Sequence, residues 1–176
     1  MAGAKKHDKT GGVVIPAAVE AALQAELGHV SDQLLAAIIE EVPSYTRALS
    51  GPMGLTIRSA VQLALGAFLE VATSPQIPGQ PLTLGRVNEA SYALGRGEAR
   101  SGRSVDALLS AYRVGARISW DAFSGIAIDA GMQAAGLVAL AGLEFAYIDE
   151  LSAAAAPGQA FETARAGQAR QREHDR

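Results

Sequence analysis

Eight consecutive residues, Gly97-Glu98-Ala99-Arg100-Ser101-Gly102-Arg103-Ser104, reproduce the spacing of a phosphate-binding loop, with Arg103 where such a loop carries lysine. That loop works when a buried strand delivers it and a helix N-terminus follows, so that backbone amides surround the phosphates. Here a helical pattern precedes it, and no aspartate at a strand end follows to hold magnesium. The stretch reads instead as a helix end broken by glycine, followed by a helix that Ser104 caps.

The remaining titratable residues assemble no catalytic set. Cysteine is absent, which removes disulfides, thiolate chemistry and cysteine-based metal sites together. His7 and His174 lie in polar end segments and His29 stands alone near a glycine, without the clustering that zinc needs or the mid-helix apolar setting of a haem ligand. The carboxylate pairs Glu40-Glu41 and Asp149-Glu150 are adjacent, so on a helix they point about 100° apart and cannot converge as acid and base. No cofactor and no enzymatic activity are expected.

The arginines carry more information. Six of the eight in the body lie between Arg86 and Arg117, with Glu89, Glu98 and Asp106 as acidic company. Arg96/Arg100 and Arg113/Arg117 are like-charged pairs four residues apart, unfavourable on an isolated helix, so each needs a partner elsewhere. Acidic residues on neighbouring helices are the plainest partners; a bound anion or a protein partner is the alternative.

The elements that must position these residues all read as helices. Apolar residues make up 49% of the 176 residues but aromatics only 5%, so the core is aliphatic and alanine-rich, which favours helix. Residues Val19, Leu23, Leu27, Val30, Leu34 and Ile38 recur at three or four, giving one face of a helix interrupted near Gly28, with Ser31 capping a second piece before Pro43 stops it. One turn follows over Ser44–Leu49, then a helix entered at Ser50-Gly51-Pro52. The proline-rich segment from Ser74 to Pro81 separates it from a helix over Leu82–Arg100. Ser104 opens the next, roughly Val105 to Gly131, with Leu108, Tyr112, Ser119, Trp120 and Phe123 inward. The last is expected over Gln133–Ala155, with Leu137, Ala141, Phe145, Ile148 and Leu151 inward. Glycines 95, 97, 115 and 125 are costly inside helices and point to close helix–helix approach.

Charge and hydropathy narrow the function classes. The first 14 residues are net +2 and those from Pro157 net +1, which leaves the body at −6 of a total of −3. An acidic body argues against nucleic-acid binding by this domain. No signal peptide is recognisable, and apolar stretches are broken before the length of a membrane span, so a cytoplasmic protein is expected with no membrane partner.

The stretch LGRGEARSGRSVDALLSAYRVGARISWDAF, Leu94 to Phe123, resembles a motif in the N-terminal domains of many actinobacterial PucR/CdaR-type transcriptional regulators. EEVPSYTRALSG and LEFAYIDELSAAA extend the resemblance, which spans roughly Val19 to Arg172. Those domains are similar to the helical N-terminal domains of RsbR-type (RsbRD) stressosome proteins, which are globin-like without haem. The resemblance implies a sensory or dimerisation module, in a family where a GGDEF-like region and a DNA-binding helix-turn-helix usually follow; this chain shows neither, as a piece of a longer regulator or as a stand-alone relative. The expectation is thus an all-α, globin-like bundle of five to seven helices: residues 1–14 a disordered tail, 15–156 the regulatory domain, and 157–176 the start of a linker helix or a disordered tail. The motif residues Arg96, Glu98, Arg100, Arg103, Tyr112, Arg113, Arg117 and Trp120 form the candidate ligand or partner surface. A homodimer is the expected assembly. A stressosome-like scaffold for a protein partner is one alternative. A small-molecule effector, anionic or apolar, held in a cavity near Tyr112, Trp120 and the Arg113/Arg117 side is the other.

Overall fold

Pro16 sets the first helix: its carbonyl accepts the Glu20 amide at 3.0 Å, and Glu20 places negative charge in the first turn, where the helix dipole favours it. The computed structural model describes residues 15–74, 80, 82 and 84–175, and the expected N-terminal tail lies outside them, as does most of the proline-rich segment. Six helices follow in order: α1 (Ala17–Glu41), α2 (Tyr45–Ser50), α3 (Met53–Thr73), α4 (Gly85–Arg100), α5 (Val105–Asp129) and α6 (Ala134–His174). No strand occurs among the described residues, and the chain is all-α.

Gly28 does not interrupt α1. The apolar face continues in phase through it, from Leu23 to Val30 and Leu34, and that packing outweighs the roughly 1 kcal/mol a mid-helix glycine costs. Ser31 therefore caps nothing. It is buried on the core face and its hydroxyl finds no protein partner. The cap expected at Ser104 is present, its hydroxyl accepting the Ala107 amide at 3.4 Å.

Two glycines at positive φ close the turns around α5. At the end of α4, Gly102 (φ 72°) lets the Arg103 amide reach the Glu98 carbonyl at 3.0 Å while its own amide reaches Ala99 at 3.2 Å. Gly131 (φ 93°) does the same after α5, with the Met132 amide on Ala127 at 2.9 Å and Met132 buried beneath. Both are Schellman endings, in which a left-handed residue satisfies the last carbonyls of a helix. The loop-like motif at Gly97–Ser104 is thus a helix C-terminus and the next helix's cap, with no strand before it.

Helices α1 and α5 pack side by side, α3 lies against α1, and α4 lies along α6. The α4–α6 approach is the tightest. A Cβ at Gly95 would collide with the Ala155 carbonyl oxygen, and one at Gly158 with the Tyr92 carbonyl oxygen. Of the four glycines expected to serve close approach, Gly95 does so; Gly97 and Gly115 make ordinary contacts, and nothing within 4 Å needs Gly125 to be small.

The helix expected over Gln133–Ala155 and the segment from 157, expected as a linker helix or a disordered tail, form one continuous helix. α6 runs on through Pro157 to His174, and Leu151, Ala155, Gly158 and Glu162 continue one buried stripe along it. Its buried face is Leu140, Leu143, Glu144, Tyr147 and Leu151; of the expected inward residues Leu151 is buried, Leu137, Ala141 and Ile148 are half-buried, and Phe145 is 62% exposed.

α3 meets the length and composition of a membrane span, which the broken apolar runs had spoken against. In the bundle, its Ile57, Leu65, Phe68, Leu69 and Ala72 are buried in the core.

Candidate functional site

Between the helices lies a cavity of about 110 Å³, to which every helix contributes a wall. Leu34 and Ile38 come from α1, Tyr45 from α2, Phe68 from α3, Leu94 from α4, Tyr112 and Phe123 from α5, and Tyr147 and Leu151 from α6. The ring of Phe68 stacks on Phe123 (centroids 5.9 Å apart) and tilts against Tyr147 at 5.4 Å. Such aromatic contacts add stiffness to an aliphatic core.

The polar groups around this space are few and mostly tied down. The Tyr147 hydroxyl donates to the Ala64 carbonyl at 2.7 Å, and the Tyr112 hydroxyl to Ser91 Oγ at 3.0 Å. Burial pushes both phenols above their ordinary range. Two polar side-chain atoms of lining residues stay without a protein partner, the Tyr45 hydroxyl and Glu144 Oε2.

Glu144 is the unusual residue. It is 3% exposed, and Ser119 Oγ donates to its Oε1 at 2.5 Å. Among the described residues, no lysine, arginine or histidine lines the cavity to balance its charge. Burial pushes the carboxyl up to about 7, against the opposing pull of the Ser119 hydrogen bond. A titratable group so perturbed beside a cavity marks a candidate functional site.

A family model described as the PucR-like N-terminal domain matches residues 13–176. The chain belongs to that family. The PucR-like domain is a regulatory domain of a transcriptional-regulator family, as the central motif implied. No curated protein and no solved structure matches the chain, so the likeness to RsbR-type proteins and the globin-like description rest on the sequence resemblance alone.

The eight motif residues of this PucR-like domain do not form one surface. Arg96 crosses to α6, pairing with Glu162 at 2.9 Å and lying over the Phe161 ring at 4.9 Å. Glu98 is buried and takes Arg103 Nε at 3.0 and 3.1 Å on its two oxygens, while the Arg103 guanidinium covers the Tyr45 ring at 5.3 Å. Burial and the adjacent Glu98 carboxylate push the Tyr45 phenol up. Arg117 pairs with Glu41 on α1 at the surface. These three arginines therefore find acidic partners within the chain, the plainest of the expected solutions. Arg100 and Arg113 are exposed and form no ion pair among the described residues.

Tyr112 alone of the eight lines the cavity. Trp120 is half-buried and packs on the core outside it, and Arg113 and Arg117 point away, because the stripe of α5 that faces the cavity runs through Leu108, Ala111, Tyr112, Gly115, Ser119 and Phe123. An anionic effector loses its expected cations by this placement. Glu144 was not among the expected residues. Its signal was a carboxylate in phase with Leu140, Tyr147 and Leu151, hidden because the neighbouring Phe145 is the more natural core residue. Among the described residues, no group of three or more His, Asp and Glu side chains is placed to hold a metal ion.

Proposed function

We propose that this domain is the non-enzymatic sensory module of a cytoplasmic transcriptional regulator, in which a small apolar molecule fills the cavity and changes how α6 is held. The cavity is the observation that carries this reading. Its walls are almost wholly apolar, and an apolar occupant that leaves water for them gains about 25 cal/mol for each Å² of apolar surface it buries. α6 is the route outward. Its Glu144, Tyr147, Ile148 and Leu151 line the cavity, and the same helix continues past Glu162 as a wholly exposed stretch over 163–174.

The test is thermal denaturation of the chain with small apolar probes, toluene and cyclopentanol, alongside Ala111→Leu, which fills the cavity from α5. A melting temperature that rises by several degrees in the parent and stays fixed in the filled variant supports the reading. No shift with any probe, or equal shifts in both proteins, refutes it.

A second reading, self-association, is favoured by one exposed stripe of α6. Val138 is 74% and Phe145 62% exposed, and Gly142 between them has nothing within 4 Å that requires its smallness. Two copies crossing antiparallel at Gly142 would set Phe145 of one against Val138 of the other, the self-complementary arrangement of a two-fold interface. Light scattering decides it: a dimer that Phe145→Asp converts to monomer supports the interface, and a monomer at every concentration removes it.

A further inference from the structure

We propose that Glu144, braced by Ser119, is the recognition group of the cavity, and that its ligand is a small apolar molecule ending in one hydrogen-bond donor, a hydroxyl or an amine. The inference rests on the sensory reading above and specifies its ligand. A buried polar atom left unpaired costs about 1–3 kcal/mol, and more when charged, so native structures rarely keep one without use. Glu144 Oε2 is such an atom, on a side chain that lines the cavity.

The hydrogen-bond inventory gives the polarity of the missing partner. With Glu144 ionised, Ser119 donates to Oε1 and Oε2 is a free acceptor. With Glu144 protonated, the proton on Oε1 is donated to Ser119 Oγ, whose own hydrogen turns to the Ala116 carbonyl 3.2 Å away. Oε2 is then a carbonyl oxygen and still an acceptor. In both of these arrangements the ligand brings the donor. The remaining one, with the acid proton on Oε2 and Ser119 still donating to Oε1, would make Oε2 a donor, and tight binding of cyclopentanone in place of the donor-bearing probes would reveal it and overturn the donor inference.

Size and lining give the rest of the molecule. An apolar cavity of about 150 Å³ accepts the six non-hydrogen atoms of benzene, so 110 Å³ suits a body of about four to six. The walls around it are aliphatic or aromatic, with Leu34, Ile38, Phe68 and Phe123 among them. With no cation in the lining, a carboxylate or phosphate on the ligand would meet Glu144 unscreened and is selected against.

Three probes of equal size separate the terms: cyclopentanol, cyclopentylamine and methylcyclopentane, titrated calorimetrically into the chain at pH 6 and pH 8. The parent is expected to bind at least one of the two donor-bearing probes about tenfold or more tightly than the hydrocarbon. Glu144→Met, which keeps the volume and removes the acceptor, should abolish that preference; it also deletes a buried unpaired carboxyl, so the fold tolerates it. Glu144→Gln keeps an acceptor and should retain cyclopentanol. The pH arms distinguish the two donors: an ammonium pairs with the ionised carboxylate and tightens from pH 6 to pH 8, whereas a hydroxyl, acceptable to both states, changes little. If methylcyclopentane binds as well as the others and Glu144→Met leaves the ratios unchanged, the donor inference is overturned while the cavity remains a ligand site. If none of the three binds, both inferences fall.

Discussion

Glu144 makes the stability of this domain depend on pH in a direction opposite to that of a paired surface carboxylate. Its carboxyl is held at about 7 in the folded chain against 4.5 for the free group, chiefly because burial disfavours the charge. The folded state therefore keeps a proton that the unfolded chain has lost. Its contribution is fully present below about pH 4.5, falls as pH rises, and is exhausted near pH 7. At 1.36 kcal/mol for each tenfold difference in proton affinity, that interval amounts to about 3 kcal/mol. Glu144→Gln, close in shape to the protonated side chain and unable to ionise, isolates the effect. Urea unfolding of both proteins, followed by Trp120 fluorescence and far-ultraviolet circular dichroism between about pH 4.5 and pH 8, gives the difference in stability at each pH. The variant should gain on the parent by about 3 kcal/mol across the interval and show no further trend above it. A difference constant to within about 0.5 kcal/mol would show that the carboxyl is solvated or paired in solution, and the account of the buried acceptor would fail with it.

Four further substitutions probe the packing and pairing around the site. Gly95→Ala sets a methyl against the Ala155 carbonyl and should cost about 1–3 kcal/mol in urea unfolding, whereas Gly125→Ala, with open space around it, should stabilise by about 0.5–1 kcal/mol. Arg103→Met strands the buried Glu98 carboxylate and should cost about 3 kcal/mol or more. Arg117→Met breaks an exposed pair with Glu41 and should cost under about 1 kcal/mol, less still in high salt; equal losses for the two arginines would contradict the difference in burial.

How much of this was legible beforehand follows from which forces write themselves into local sequence. The capped start at Ser104, the breaks at Gly102 and Gly131 and the short turn at Tyr45–Ser50 are local, set by side-chain caps and by glycine's access to positive φ, and they read directly. α1 and α6 were harder because tertiary packing overrode local signals. Gly28 sits inside a helix whose apolar face stays in phase on either side. Pro157 sits on the exposed side of α6, where the lost amide bond and the carbonyl it leaves face solvent, so the helix continues beneath it. The site was half legible. Tyr112 could be named from the motif, but of the motif's arginines Arg96 and Arg117 proved to be braces between helices, Arg103 holds the neighbouring Glu98, and Arg100 and Arg113 are exposed. Glu144 broke the apolar pattern that identifies a core face, and a polar residue on such a face is invisible to a reading that relies on the pattern.

The order in which the helices are made has a consequence for synthesis. α3, apolar enough over Met53–Thr73 to resemble a membrane segment, leaves the ribosome with α1 and α2 as its only completed neighbours. Its remaining cover comes from α4, from Phe123 of α5 and from α6, whose Tyr147 hydroxyl seeks the Ala64 carbonyl across 83 residues of chain. At elongation rates of about 5–20 residues per second the interval between Thr73 and Leu151 is on the order of ten seconds. Phe68 lacks Phe123 for most of that time and Tyr147 for nearly all of it, and the nascent chain offers an apolar helix to whatever meets it first. A chaperone that binds apolar helices has its longest opportunity on this protein there, and release has to wait for the arrival of α6.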